Sequence, residues 1–146
     1  MNYQNIDEEV LTSVYKNAHI ALQSISNVIN ETEDVEMKEE LSYEYDGYEK
    51  FIGKLSAYMK EISLEPKDIN FLQKAFMFTS VKMNTLTDST KSHIAELMIK
   101  GTVMGITELT EILNRHQDEI GDKTKLFTKE LLSIEEEYEQ RLKKLL

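Results

Sequence analysis

Apolar residues recur at every third and fourth position along most of the chain, the spacing that gathers side chains on one face of an α-helix. The first stripe is Leu11, Val14, Ala18, Ala21 or Leu22, Ile25 and Val28. It predicts a helix over about residues 7–31, with Asn5 placed to cap it and Asp7, Glu8 and Glu9 near its positive end. Thr32 to Asp34 break that run, and Asp34 caps a second helix over about 34–62. Its core positions read Met37, Leu41, Glu44, Tyr48, Phe51, Leu55, Tyr58 and Ile62. A third segment, 67–87, follows Pro66 and carries two stripes: Leu72, Ala75 or Phe76, Thr79, Met83 and Leu86 on one side, Phe71, Phe78 and Val81 on another. Thr85 and Asp88 offer capping chemistry for a helix over about 88–117 that is separate from the segment before it. Gly121 then Asp122 read as a stop and a new start, opening a last helix, 122–146, with Phe127, Leu131, Ile134, Tyr138, Leu142 and Leu145 inward.

Short connections make helices one and two a hairpin, and the last two another. Between them lies a helical crossover of about two dozen residues, long enough to traverse the bundle. One proline and five glycines in 146 residues leave little turn chemistry for strands, so the fold is all-α and forms a single domain. Hairpin, crossover, hairpin is the connection pattern of a ferritin-like four-helix bundle.

In that outline the chain resembles the ferritin-like superfamily. The stretch "SHIAELMIKGTVMGITEL", Ser92 to Leu109, and the segment "VKMNTL", Val81 to Leu86, are similar to a group of short uncharacterised bacterial helical proteins. That likeness implies the fold and no activity. Metal-binding members of the superfamily supply a Glu from each of two helices and Glu-x-x-His from each of the other two. The nearest strings here are His93-x-x-Glu96, reversed, and Glu135-x-x-Tyr138, without imidazole. The family's ligand set therefore does not carry over residue by residue.

Glu44 is the misfit in the pattern, a carboxylate where the stripe asks for an apolar residue. If the second helix starts near 34 and the helix after the crossover near 88, Glu44 and Glu108 are separated by ~15 Å along the axis. Metals of a dinuclear site stand about 3.5–4 Å apart, so the two carboxylates cannot share one. Glu44 is expected to be a buried structural acid paired with Arg141, with Tyr138 or Tyr48, or with His93. Glu44, His93, Glu96 and His19 are the candidates for a lone metal, iron, manganese or zinc; the expectation is no cofactor. Gly101 and Gly105 permit close helix approach or host a local kink, and Met77, Met83, Met98 and Met104 are read as packing residues.

Charge narrows the partners. A formal net charge of −10 argues against nucleic acid and anionic membranes, since phosphate-backbone binding needs clustered Lys and Arg. The charge is uneven: Glu31 to Glu49 hold nine acidic residues against Lys38, whereas the segment from 67 to 91 holds Lys67, Lys74, Lys82 and Lys91 against Asp68 and Asp88. No cysteine means no disulfide, thiolate site or thiol nucleophile. The start, "MNYQNIDEEV", lacks a basic region followed by an apolar run, and no apolar stretch approaches the roughly 18 residues of a membrane span, so a cytoplasmic location is expected. The expected function is non-enzymatic: a helical bundle acting through protein association, as a homodimer, with Phe71, Phe78, Val81, Lys74 and Lys82 at the contact. The alternative is a degenerate ferritin-like metal-binding or redox protein.

Overall fold

A computed structural model of the chain describes residues 3–65 and 88–146, the side chains of 3–5 excepted. Among the described residues there are four α-helices and no strand: α1 (Tyr3–Val28), α2 (Val35–Glu61), α3 (Lys91–His116) and α4 (Asp122–Lys143). The crossover segment 67–87, with Phe71, Phe78, Val81, Lys74 and Lys82, lies outside them.

The helix ends follow local chemistry. Asp34 accepts a hydrogen bond from the Met37 backbone N–H at 2.8 Å and so satisfies one of the free donors at the start of α2. α2 stops in a paired-turn cap: the Leu64 N–H donates to the Met59 carbonyl, the Ser63 N–H donates to the Lys60 carbonyl, and Ser63 adopts the left-handed region at φ 58°. Two expected caps differ. Asn5 lies within α1, which begins at Tyr3, so it does not cap that helix. α3 is capped by Thr90, whose Oγ1 accepts from the His93 N–H at 3.4 Å, while Asp88 accepts from the Thr90 N–H at 2.9 Å and braces the cap from outside. Residues 88–90 lie outside any helix, so α3 begins at Lys91.

α1 packs against α2, α3 and α4, and α4 packs against α2 and α3, so the four helices share one core. Leu11, Val14, Ala18, Ile25 and Val28 from α1 meet Leu41, Phe51 and Leu55 from α2, Ile94 and Leu109 from α3, and Leu131 and Leu142 from α4 in that interior. Cross-helix contacts fix the directions. Asp7 reaches Gly121 and Asn17 reaches Gly105, so α1 and α3 are antiparallel. Glu40 meets Arg141, Tyr48 meets Glu135 and Lys54 meets Glu130, so α2 and α4 are antiparallel too. Lys91 Nζ stands 3.6 Å from Glu36 Oε2, which sets the starts of α3 and α2 at the same end. These two helices therefore run parallel, and the described ends Glu65 and Asp88 lie at opposite ends of the bundle.

Not every apolar position went where the stripe pointed. Met104 is 74% exposed and is not a packing residue, and Ile62 is exposed beyond the end of α2. On α4, Phe127 and Ile134 are only partly buried, because Thr128 and Glu135 hold the inward positions between Thr124, Leu131, Tyr138 and Leu142. Buried Thr128 and Thr102 are tolerated because each hydroxyl donates to the carbonyl one turn back, at 2.8 and 2.7 Å. No helix among the described residues is long and apolar enough to cross a membrane.

Candidate functional site

The polar residues that break the core pattern gather in the middle of the bundle. α2 contributes Glu44 and Tyr48, α4 contributes Glu135 and Tyr138, α1 contributes Asn17, and α3 contributes Glu108 at the rim beside Gly105. Glu44 and Glu135 are each 1% exposed. An ionised carboxylate in such a place loses its hydration, so burial pushes both acids above the usual carboxylate range.

Each acid solves this differently. Burial is the largest cause at Glu44, and a hydrogen bond to Glu40 adds to it. Glu40 itself accepts from Arg141 Nε at 3.0 Å through both oxygens, with Nη2 3.0 Å from Oε1. The Arg141 guanidinium also stacks 3.9 Å over the Tyr43 ring. The expected Glu44–Arg141 pair is thus corrected: the guanidinium is taken by Glu40, one turn earlier and closer to water, where an ion pair costs less desolvation. Arg141 still acts on Glu44 from a distance, as the one neighbour that lowers its pKa.

Glu135, which the sequence offers only in a string without its imidazole and not on the inward stripe, is the second central acid. Burial first, then the charge of Glu108, raises its carboxyl to about 8. The Tyr48 hydroxyl donates to Glu135 Oε2 at 3.5 Å and works against that rise. Burial likewise lifts Glu108, partly offset by Asn17, whose Nδ2 donates to Glu108 Oε1 at 3.4 Å and to the Gly105 carbonyl at 3.2 Å. Glu44 Oε2, Glu135 Oε1 and Asn17 Oδ1 are buried with no hydrogen-bond partner.

Two glycines make room for this layer. A Cβ on Gly47 would collide with the Tyr138 hydroxyl, whose ring stands edge-on to Tyr48 and Tyr43 with centroids 5.2 and 5.9 Å apart. A Cβ on Gly105 would stand 2.5 Å from Glu135 Oε1. Gly101 has open space where its side chain would be, so the Gly-x-x-x-Gly pair serves side-chain accommodation at one glycine and no close contact at the other.

The remaining candidates do not join the layer. Glu44 lies among Glu40, Arg141 and Tyr138, and Glu108 beside Asn17 and Glu135, so these two acids stand at different levels. His93 Nδ1 and Glu96 Oε2 are 4.0 Å apart on the surface of α3. His19 is half-buried against the Tyr15 ring, 4.3 Å between centroids, and burial lowers its pKa. The four proposed lone-metal residues are therefore scattered over three places, and among the described residues no group of three or more His, Cys, Asp or Glu is placed to hold an ion. A cleft of about 420 Å³ opens at the end of the bundle, where Asp7 meets Gly121 beside Tyr58 and Lys123, away from the buried acids. Comparisons with protein-family models, with curated proteins and with solved structures found no match.

Proposed function

We propose that the chain is a ferritin-like bundle with a traversing crossover, that its own side chains fill the place of a di-metal centre, and that it acts by associating with protein. The first partner is a second copy of itself. The topology is supported by the parallel course of α2 and α3: a chain leaving α2, 27 residues long, has to return ~40 Å before α3 can begin beside Glu36. One contact supports the filled centre. At the spacing where metal-binding members carry Glu-x-x-His, α2 carries Glu44-x-x-Gly47 and α4 carries Glu135-x-x-Tyr138. The Tyr138 hydroxyl occupies the space over Gly47, so a single phenol stands where two imidazoles would be needed. The donor set does not fit a dinuclear centre, and no chemistry is routed through one.

Association is favoured by complementary charge. The stretch from Glu31 to Glu49 holds nine acidic residues against Lys38, and at that end of the bundle Glu36, Glu39 and Glu40 share an open groove of about 290 Å³ with Arg141, Lys144 and Leu145. The sequence between α2 and α3 pairs Lys74 and Lys82 with Phe71, Phe78 and Val81. In a two-fold dimer the acidic end of each copy meets the basic, apolar segment of the other. Sedimentation equilibrium at micromolar protein tests this: the native chain is a dimer, weakened by salt, and Phe71→Ser/Phe78→Ser is a monomer. A native chain that sediments as a monomer contradicts it.

A further inference from the structure

On its outer side, away from the core, α3 carries a row of side chains suited to receive a second helix. Lys100, Met104, Thr107 and Glu111 follow one another at spacings of four, three and four, so they line up along the exposed side of the helix. Met104 is 74% exposed and its neighbour Val103 is 41% exposed, which sets two large apolar side chains together in water. The Thr107 and Thr110 hydroxyls donate within the helix, to the Val103 and Ile106 carbonyls at 2.8 and 2.7 Å, so covering them strands no donor. Nothing lies within 4 Å of where a Gly101 side chain would be. A glycine inside a helix costs stability, and the described fold makes no use of this one, whereas a backbone approaching from outside would.

The row is complementary to its own reverse. Turned end for end about a point between Gly105 and Ile106, Met104 falls opposite Thr107 and Lys100 falls opposite Glu111. A single two-fold axis thus brings a long apolar side chain onto a short one and a cation onto an acid, each twice. A parallel arrangement would set like charge against like at both positions.

We propose that this face of α3 packs antiparallel on α3 of a second copy, with Met104 against the partner subunit's Thr107 and Lys100 against the partner subunit's Glu111. In that arrangement the acidic end of each copy, where Lys91 meets Glu36, comes level with the other's Glu65 end, from which the chain leads on to Phe71 and Lys74. The contact therefore deepens the reading of the chain as a dimer and rests on it. One helix from each copy supplies a minor part of the about 1,200–2,000 Å² that stable complexes bury, so the α3 pair is the axis of that dimer and not the whole of it.

Sedimentation equilibrium of the 146-residue chain over a range of concentrations tests the contact. Lys100→Glu and Glu111→Lys, both at exposed positions, each raise the dimer Kd about tenfold or more, because each puts like charges face to face twice per dimer. A general effect of net charge would move the two single reversals in opposite directions. The swap Lys100→Glu/Glu111→Lys returns Kd close to the native value. It does not rebuild the 3.1 Å pair of Lys100 with Glu96 inside α3, so the recovery reports the contact between copies. A native dimer that the single reversals leave unchanged or shift in opposite directions, or that the swap fails to restore, overturns the α3 contact and leaves the dimer itself to the Phe71→Ser/Phe78→Ser test. Sensitivity to the reversals with none to Phe71→Ser/Phe78→Ser keeps the α3 contact and removes the acidic-end one, and a monomeric native chain overturns both.

Discussion

Single residues set the character of this bundle through what they leave out as much as through what they add. Gly47 and Gly53 share α2, yet a side chain at 47 would collide with the Tyr138 hydroxyl and one at 53 would meet nothing within 4 Å. Helix propensity alone favours alanine at both by about 0.5–1 kcal/mol. Gly53→Ala is therefore expected to raise the unfolding free energy by roughly that amount, whereas Gly47→Ala lowers it by about 1–3 kcal/mol through overpacking. Urea denaturation of the two variants measures the contrast. Tyr138→Phe in the Gly47→Ala background removes the colliding oxygen and recovers part of the loss. Glu44 was legible in the sequence because it broke a clean stripe, and it is buried there. Glu135 was not, because Ile134 and Tyr138 drew an equally good line one position away. The spacing 128, 131, 135, 138, 142, 145 was present, but a stripe of Thr and Glu does not announce a core. Asn17 was hidden in the same way beside Ala18.

At the scale of elements, the four described helices lie near the positions their local signals indicate. The second helix was placed at 34–62 and runs Val35–Glu61, since an Asp cap and a proline-led stop bracket it. The first helix starts earlier than its acidic residues suggested, and α3 starts three residues later than Asp88, because Thr90 provides a cap with Asp88 behind it. Side-chain partners across helices were less legible. Arg141 can reach either Glu40 or Glu44, and the choice depends on depth, which spacing along one helix does not encode. The end of α2 carries a local strain that can be relieved. Ser63 sits in the left-handed region, at φ 58°, inside a complete paired-turn cap. Ser63→Gly retains both turn hydrogen bonds without the steric cost of a Cβ, and is expected to stabilise the protein by on the order of 1 kcal/mol. A rise of a few degrees in Tm checks it; an unchanged or lower Tm means the serine side chain contributes more than its backbone strain costs.

The whole molecule is a bundle closed around its own acids. Their raised pKa values have a definite consequence for pH. The folded state holds the Glu135 proton up to about 8, whereas an unfolded chain releases it near 4.5, the ordinary value of a glutamate. The stability that Glu135 contributes is thus fully present below the unfolded value and is lost as pH rises toward 8, at no more than about 1.4 kcal/mol per pH unit. Glu44 acts in the same direction over a window that extends higher. Glu44→Gln and Glu135→Gln remove this loss because an amide does not ionise. The most direct measurement is a carbon-13 NMR titration of the glutamate carboxyl carbons in metal-free protein. Two resonances, assigned by those substitutions, should keep the shift of a protonated acid at pH 7 and change only above it. If every glutamate titrates in the ordinary carboxylate range, the acids of α2 and α4 are hydrated and the closed polar centre described here does not exist.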